Sequence, residues 1–133
     1  MEMGLPVLIV DDEAEFAETL AERLRLRGFT PHVANSGEEA LSLVARGVAN
    51  IMLLDLKMPG MDGLEVLRRI QKGAFRMQVI ILTGHGSEID EVYARSMGAI
   101  EYLRKPADLG AILAAFKKAE KELNKNMPVL TKE

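Results

Sequence analysis

The sequence predicts an α/β fold: a parallel five-stranded sheet with helices packed on both of its faces. Three observations predict it. Five short apolar runs recur along the 133 residues, and the central one, Ile51-Met52-Leu53-Leu54, has no polar alternation. That is the pattern of a strand covered on both sides. A stretch with helical spacing of apolar residues follows each run, and right-handed crossovers turn a strand–helix repeat into a parallel sheet. Four of those helices end at a glycine, namely Gly28, Gly47, Gly73 and Gly98. Glycine supplies the left-handed residue that a helix C-terminus favours.

Taken in order, residues 5–10 (LPVLIV) are the first strand, which stops on Asp11-Asp12-Glu13. The helix after it places Phe16, Leu20 and Leu24 four apart on one face. Residues 31–34 (PHVA) form a second, weaker strand. Ser36-Gly37-Glu38-Glu39 reads as a capping box: Ser36 accepts from the Glu39 N–H, and the Glu39 side chain reaches back to Ser36. That helix carries Ala40, Leu41 and Val44. The third strand emerges at Asp55, before the turn-forming Met58-Pro59-Gly60 and Met61-Asp62-Gly63, and its helix buries Leu64, Leu67 and Ile70. Residues 78–82 (QVIIL) are the fourth strand, ending at Thr83-Gly84, and Ser87 caps a helix running through Val92 and Met97. Residues 99–103 (AIEYL) are the fifth, followed by Arg104-Lys105-Pro106. The last helix carries Leu109, Ile112, Leu113 and Phe116, of which Leu109, Ile112 and Phe116 are assigned to packing on the sheet. Leu123, seven residues after Phe116, is assigned to a helix–helix interface. Residues 1–123 are expected to form the domain, and residues 124–133 a tail or the start of a linker.

Composition narrows the functional classes. A chain of this length fits one domain with a sizeable core. Hydrophobic residues make up 48% and charged residues 28%, which excludes a disordered chain. A net charge of −3 argues against direct nucleic-acid binding by this domain. The absence of cysteine removes disulfides, thiolate chemistry and cysteine-based zinc sites, and two separated histidines make a histidine-rich metal site a poor reading. No apolar run approaches the roughly 20 residues of a membrane span, and no signal pattern opens the chain. The expectation is a cytoplasmic protein without membrane contact.

In a parallel sheet every strand ends on the same rim, so Asp11, Asp12, Asp55, Thr83 and Lys105 should converge. An aspartate after a strand usually does no more than open a turn or cap a helix, an isolated lysine is usually solvated, and an isolated threonine usually bonds to backbone. Their joint placement favours chemistry. Carboxylates about 4 Å apart repel by roughly 4 kcal/mol per pair at an effective dielectric near 20, so one holds a proton or a cation sits among them. Oxygen-only ligands favour a hard ion such as Mg²⁺. A lysine and a hydroxyl opposite such an ion suit an anion with several oxygens, with Asp55 placed as the nucleophile toward phosphorus.

Four fragments then carry a resemblance: VDDE at 10–13, LLDLKMPGMDG at 53–63, LTG at 82–84 and EYLRKP at 101–106. In this order and spacing they make residues 5–123 strongly resemble the receiver domain of bacterial two-component response regulators. The resemblance implies a flavodoxin-like, doubly wound sheet of order 2-1-3-4-5. It implies that Asp55 accepts a phosphoryl group from a histidine kinase, and that Thr83 and Lys105 contact that group. Mg²⁺, with Mn²⁺ as a substitute, is implied on Asp12, Asp55 and the backbone carbonyl of Lys57, with Asp11 acting through water. Tyr102 is implied as the aromatic switch that turns inward, and the bond before Pro106 as cis. Output is implied through the face of the fourth helix, fifth strand and fifth helix, toward an output domain, a target protein or a second copy in a homodimer. Lys57 and His85 flank the site and are expected to tune phosphoryl lifetime. Such a protein is a signalling switch that catalyses its own phosphorylation and slow dephosphorylation. The rival reading, a phosphatase of the haloacid-dehalogenase type, needs a general acid two residues after the nucleophile, where this chain has Lys57. A degenerate receiver that only binds protein is disfavoured by the complete set of acids with Thr83 and Lys105.

Overall fold

The computed structural model describes residues 4–125. Strands β1 (Pro6–Val10), β2 (Thr30–Ala34), β3 (Ile51–Leu54), β4 (Gln78–Thr83) and β5 (Glu101–Arg104) alternate with five helices. These are α1 (Ala14–Arg25), α2 (Gly37–Ala45), α3 (Gly63–Lys72), α4 (Glu88–Ser96) and α5 (Leu109–Lys125). All four strand pairings are parallel, and the order across the sheet is β2-β1-β3-β4-β5, as the resemblance implied. β1 pairs with both β2 and β3. The chain therefore runs first to one edge and then returns past β1 to build the other, which opens a crevice at the carboxyl ends of β1 and β3.

The uninterrupted apolar strands are explained by two cores, one on each face. Val7, Ile9, Ile51, Leu53, Ile80 and Leu82 meet α1 and α5. The alternate residues Leu8, Val10, Met52, Leu54, Val79 and Ile81 meet α2, α3 and α4. Strand side chains alternate between faces, so a strand with helices on both sides needs apolar residues at every position.

The structure corrects several local expectations. Glu39 does reach back, but its carboxylate accepts from the Asn35 N–H at 2.8 Å rather than from Ser36, while Ser36 Oγ accepts from the Glu39 N–H at 3.1 Å as expected. A full capping box forms instead at the start of α4, between Ser87 and Asp90. Gly73 is not left-handed (φ −84°); the next residue, Ala74, takes φ 58°. A Cβ on Gly73 would lie 2.4 Å from the Phe75 ring, so packing rather than backbone freedom calls for glycine there. On α3, Val66 is buried and Leu64 only half-buried. Phe16 stays partly exposed at the rim while Leu20 and Leu24 are buried. Leu123 is also buried, packed with α1, α5 and the sheet, so it is a core residue and not an interface residue. α5 continues to Lys125, past the expected domain boundary at residue 123, and residues 126–133 of the expected tail lie outside the described residues.

Candidate functional site

Among the described residues, the buried polar or charged ones are Asp11, Asp55 and Thr83, and all three stand at the carboxyl rim of the sheet. The register explains why they meet. Val10 pairs with Leu54, so Asp11 and Asp55 follow at equal depth, and the Asp55 N–H donates to the Val10 carbonyl at 3.0 Å. β4 runs on to Thr83, whose hydroxyl donates to Asp55 Oδ1 at 2.7 Å. Lys105 follows β5. Its N–H donates to the Thr83 carbonyl at 2.9 Å, and its side chain turns back over the rim. The Lys105–Pro106 bond is cis. Gly63, at the start of α3, lets that helix close on the site, since a Cβ there would lie 2.2 Å from the Asp55 carbonyl oxygen.

The Lys105 ammonium lies 2.7 Å from Asp11 Oδ2, 3.5 Å from Glu13 Oε1 and 3.7 Å from Asp55 Oδ2. Burial lowers the lysine's proton affinity, but its hydrogen bond and charge attraction to Asp11, with Asp55 and Glu13 behind, raise it overall. Lys105 is therefore a fixed positive charge. Burial raises the Asp11 carboxyl above its ordinary value, and hydrogen bonds from Lys105 and the Glu13 N–H only partly offset this. Burial is thus the main source of the strain on this acid, with the nearby Asp55 charge a lesser one.

Asp11, Asp12 and Asp55 each offer a carboxylate oxygen, all within 4.8 Å of one another. At that separation and an effective dielectric near 20, each pair repels by about 3–4 kcal/mol, and a single lysine cannot neutralise three acids. A small hard cation fits this donor set: oxygen ligands only, with Asp12 more exposed than the other two and able to share the ion with water. Lys57 adjoins through its backbone, with its N–H 3.4 Å from Asp55 Oδ1.

The structure brings together the residues singled out from the sequence: Asp11, Asp12, Asp55, Thr83 and Lys105. Tyr102 is separate from them but linked through the loop after β4. Its ring is already buried, not waiting outside, and its hydroxyl has no hydrogen-bond partner among the described residues. Burial pushes this phenol's pKa up. The loop makes room only because residue 86 is glycine; a Cβ there would lie 1.6 Å from Tyr102 Oη and 3.1 Å from the Thr83 methyl. Three contributors escaped the sequence reading. Asn35, directly after β2, donates from Nδ2 to the Asp11 carbonyl at 2.8 Å and so braces the acidic loop. Glu13 is a third carboxylate facing Lys105, and the Phe16 ring lies against the same amine. An asparagine directly after a strand could have signalled the first and the acidic run Asp11-Asp12-Glu13 the second; nothing in the sequence marks Phe16 as a partner of Lys105.

The sequence model of the response regulator receiver domain matches residues 7–117. A curated relative, the uncharacterized transcriptional regulatory protein YkoG of Bacillus subtilis, is 38% identical over 119 residues. That match covers 90% of this chain and 52% of YkoG, so the chain spans about half the length of that relative. Among solved structures, a response regulator receiver domain protein from Clostridium thermocellum is similar at TM-score 0.87 and 32% identity, over 92% of this chain and 99% of that one. A response regulator protein from Burkholderia pseudomallei, solved with a phosphorylated aspartic acid, a calcium ion and citrate, is similar at TM-score 0.77 and 31% identity, over 95% of this chain and 77% of that one.

Proposed function

The chain belongs to the response regulator receiver domain family, and from that premise we propose that it is a phosphorylation-controlled switch whose phospho-acceptor is Asp55. The observation that carries this reading is the handling of that one buried carboxylate. Thr83 donates to one of its oxygens at 2.7 Å, and the Lys105 ammonium faces the other at 3.7 Å. Both groups can serve the oxygens of an incoming phosphoryl group. An Asp55 oxygen attacks phosphorus in line; the O–P bond forms, and the P–N bond to the kinase histidine breaks with its electron pair passing to the imidazole. The product is an acyl phosphate, which water later hydrolyses.

Asp12, Asp55 and the Lys57 carbonyl would hold Mg²⁺, or Mn²⁺ in its place, with Asp11 acting through water. The bound ion supplies positive charge that offsets the charge developing on the phosphoryl oxygens. Lys105 neutralises one oxygen as a point charge, and Thr83 redirects its hydroxyl to another. The Burkholderia pseudomallei relative, with its phosphorylated aspartic acid and divalent cation, supports this assignment. Lys57 and His85 flank the acceptor and would set how long the acyl phosphate lasts.

The signal would leave through α4, β5 and α5. Thr83 already points at Asp55 and Tyr102 already lies inward beneath Gly86. Phosphorylation would then stabilise an arrangement the unmodified chain can adopt, which is a population shift and not a new shape. A target protein, an output domain or a second copy would read that face. The direct test is intact-mass measurement after incubation with acetyl phosphate and Mg²⁺. The adduct should form in the parent protein and be absent with EDTA or in Asp55→Asn. An acid-stable adduct that persists in Asp55→Asn would overturn the assignment.

A further inference from the structure

The ring of Phe16 stands in an unusual place for an apolar side chain. It is the third residue of α1 and remains 37% exposed, so it is only partly withdrawn from water. What covers one face of the ring is the ammonium of Lys105, 4.2 Å from the ring centroid. That is well inside the roughly 6 Å over which an aromatic quadrupole attracts a cation. The same amine contacts Asp11, Glu13 and Asp55, and the lysine side chain is only 16% exposed. Phe16 thus forms an uncharged wall of a cage whose other walls are acids.

We propose that Phe16 is a positioning residue for Lys105, its ring face keeping the ammonium at the rim within reach of the Asp55 phosphoryl group. This rests on the reading of Asp55 as phospho-acceptor. The need for such a wall follows from the distances. The nearest partner of Lys105 is Asp11, a full ångström closer than Asp55. If Asp11 serves a metal ion through water, it is the partner from which the amine must be released. A four-carbon stem freed from its anchor would swing into solvent, because ammonium is strongly hydrated. The ring neither binds a hydrated divalent ion nor repels the amine, so its hold persists while the acids exchange partners. A leucine would keep a smaller apolar side chain there without the quadrupole.

The test pairs kinetics with a signature that needs no metal. With acetyl phosphate, which bypasses any kinase docking, Phe16→Leu should slow formation of the Asp55 adduct about three- to tenfold, whereas Phe16→Tyr should stay within about twofold of the parent. In a Lys105→Gln background, Phe16→Leu should have no further effect. In metal-free protein, the ε-methylene protons of Lys105 should be shifted upfield by the ring current in the parent and in Phe16→Tyr, and return to ordinary values in Phe16→Leu. Equal rates for Phe16→Leu and the parent would overturn the proposal, as would equal losses for the leucine and tyrosine variants or an unshifted lysine. Absence of any Asp55 adduct in the parent would instead count against the acceptor assignment, and the metal-free lysine signal would still decide the pairing.

Discussion

Helices α4 and α5 read alike in the sequence and are used in opposite ways. Each carries apolar residues at helical spacing: Ile89, Val92 and Tyr93 on α4, and Leu109, Ile112, Leu113 and Phe116 on α5. α5 buries Leu109, Ile112, Ala115, Phe116, Ala119 and Leu123. α4 buries Ala94 alone, with Ile89 79% and Val92 70% exposed. The contacts that tether α4 and the loop before it are largely polar and exposed. Arg68 donates to Tyr93 Oη at 3.1 Å, Arg95 pairs with Glu101 at 3.2 Å, and Arg104 pairs with Glu91 at 3.4 Å while donating to the Gly86 carbonyl at 2.7 Å. An exposed ion pair contributes about 0–1 kcal/mol, whereas one fully buried apolar side chain contributes about 1.5–3 kcal/mol. One helix is anchored by the core, and the other rests on contacts that can be exchanged for water at little cost. Elements that move in switching are drawn from the second kind.

The comparison breaks most visibly at Phe116. Its ring is 1% exposed and tilts against Phe29 at a centroid distance of 5.2 Å. Phe116→Ala should lower unfolding stability by about 3–5 kcal/mol, measured by urea denaturation. A loss below about 1 kcal/mol would mean that burial does not anchor α5.

A middle-sized effect sharpens the comparison from the α4 side. Gly86→Ala would place a methyl 1.6 Å from Tyr102 Oη, so either the ring swings out or the loop shifts. The expected loss is about 1–3 kcal/mol, as for an overpacked site. It should be accompanied by greater exposure of Tyr102 in tyrosine-labelled NMR spectra and faster amide exchange in α4, with α5 unchanged. Unchanged exchange in α4 would show that the helix does not depend on the inward tyrosine.

How far the sequence could be read follows the same division. The central strands were legible because a doubly covered strand leaves a short apolar run bounded by turn-forming residues, as β3 does before Asp55. The acids, Thr83 and Lys105 were legible because a parallel sheet sends every strand end to one rim. Side-chain direction on helices was not legible. Period alone says that α4 and α5 each have an apolar stripe, but whether sheet or solvent faces it depends on where the helix lands. Leu123 was misread as an interface residue for that reason. Ala74 escaped because an alanine in left-handed backbone has no mark in the sequence, and Gly73 looked the better candidate. The Phe16–Lys105 pair joins residues 89 positions apart, and only the closed fold brings them together.

The smallest effect is the most pointed. Ile89→Gln and Val92→Gln replace the two most exposed apolar side chains of α4 with residues that favour helix at least as well. Because most of each side chain already faces water, little burial is lost, and unfolding stability should change by no more than about 0.5 kcal/mol. A loss above about 1 kcal/mol for either variant would show that the stripe is covered in the folded chain, and α4 would join α5 as an anchored element. Near-neutral stability leaves a different question, since exposed isoleucine and valine on one helix face are apolar area that the chain does not use for itself. If that face carries the output, the double variant should bind the beryllofluoride-mimicked state's partner, or a second copy, more weakly while accepting the mimic as well as the parent does. Sedimentation with and without the mimic separates the two properties. Unchanged association in the double variant would move the output surface off α4, while a loss of association without loss of stability would locate it on the helix that the core leaves free.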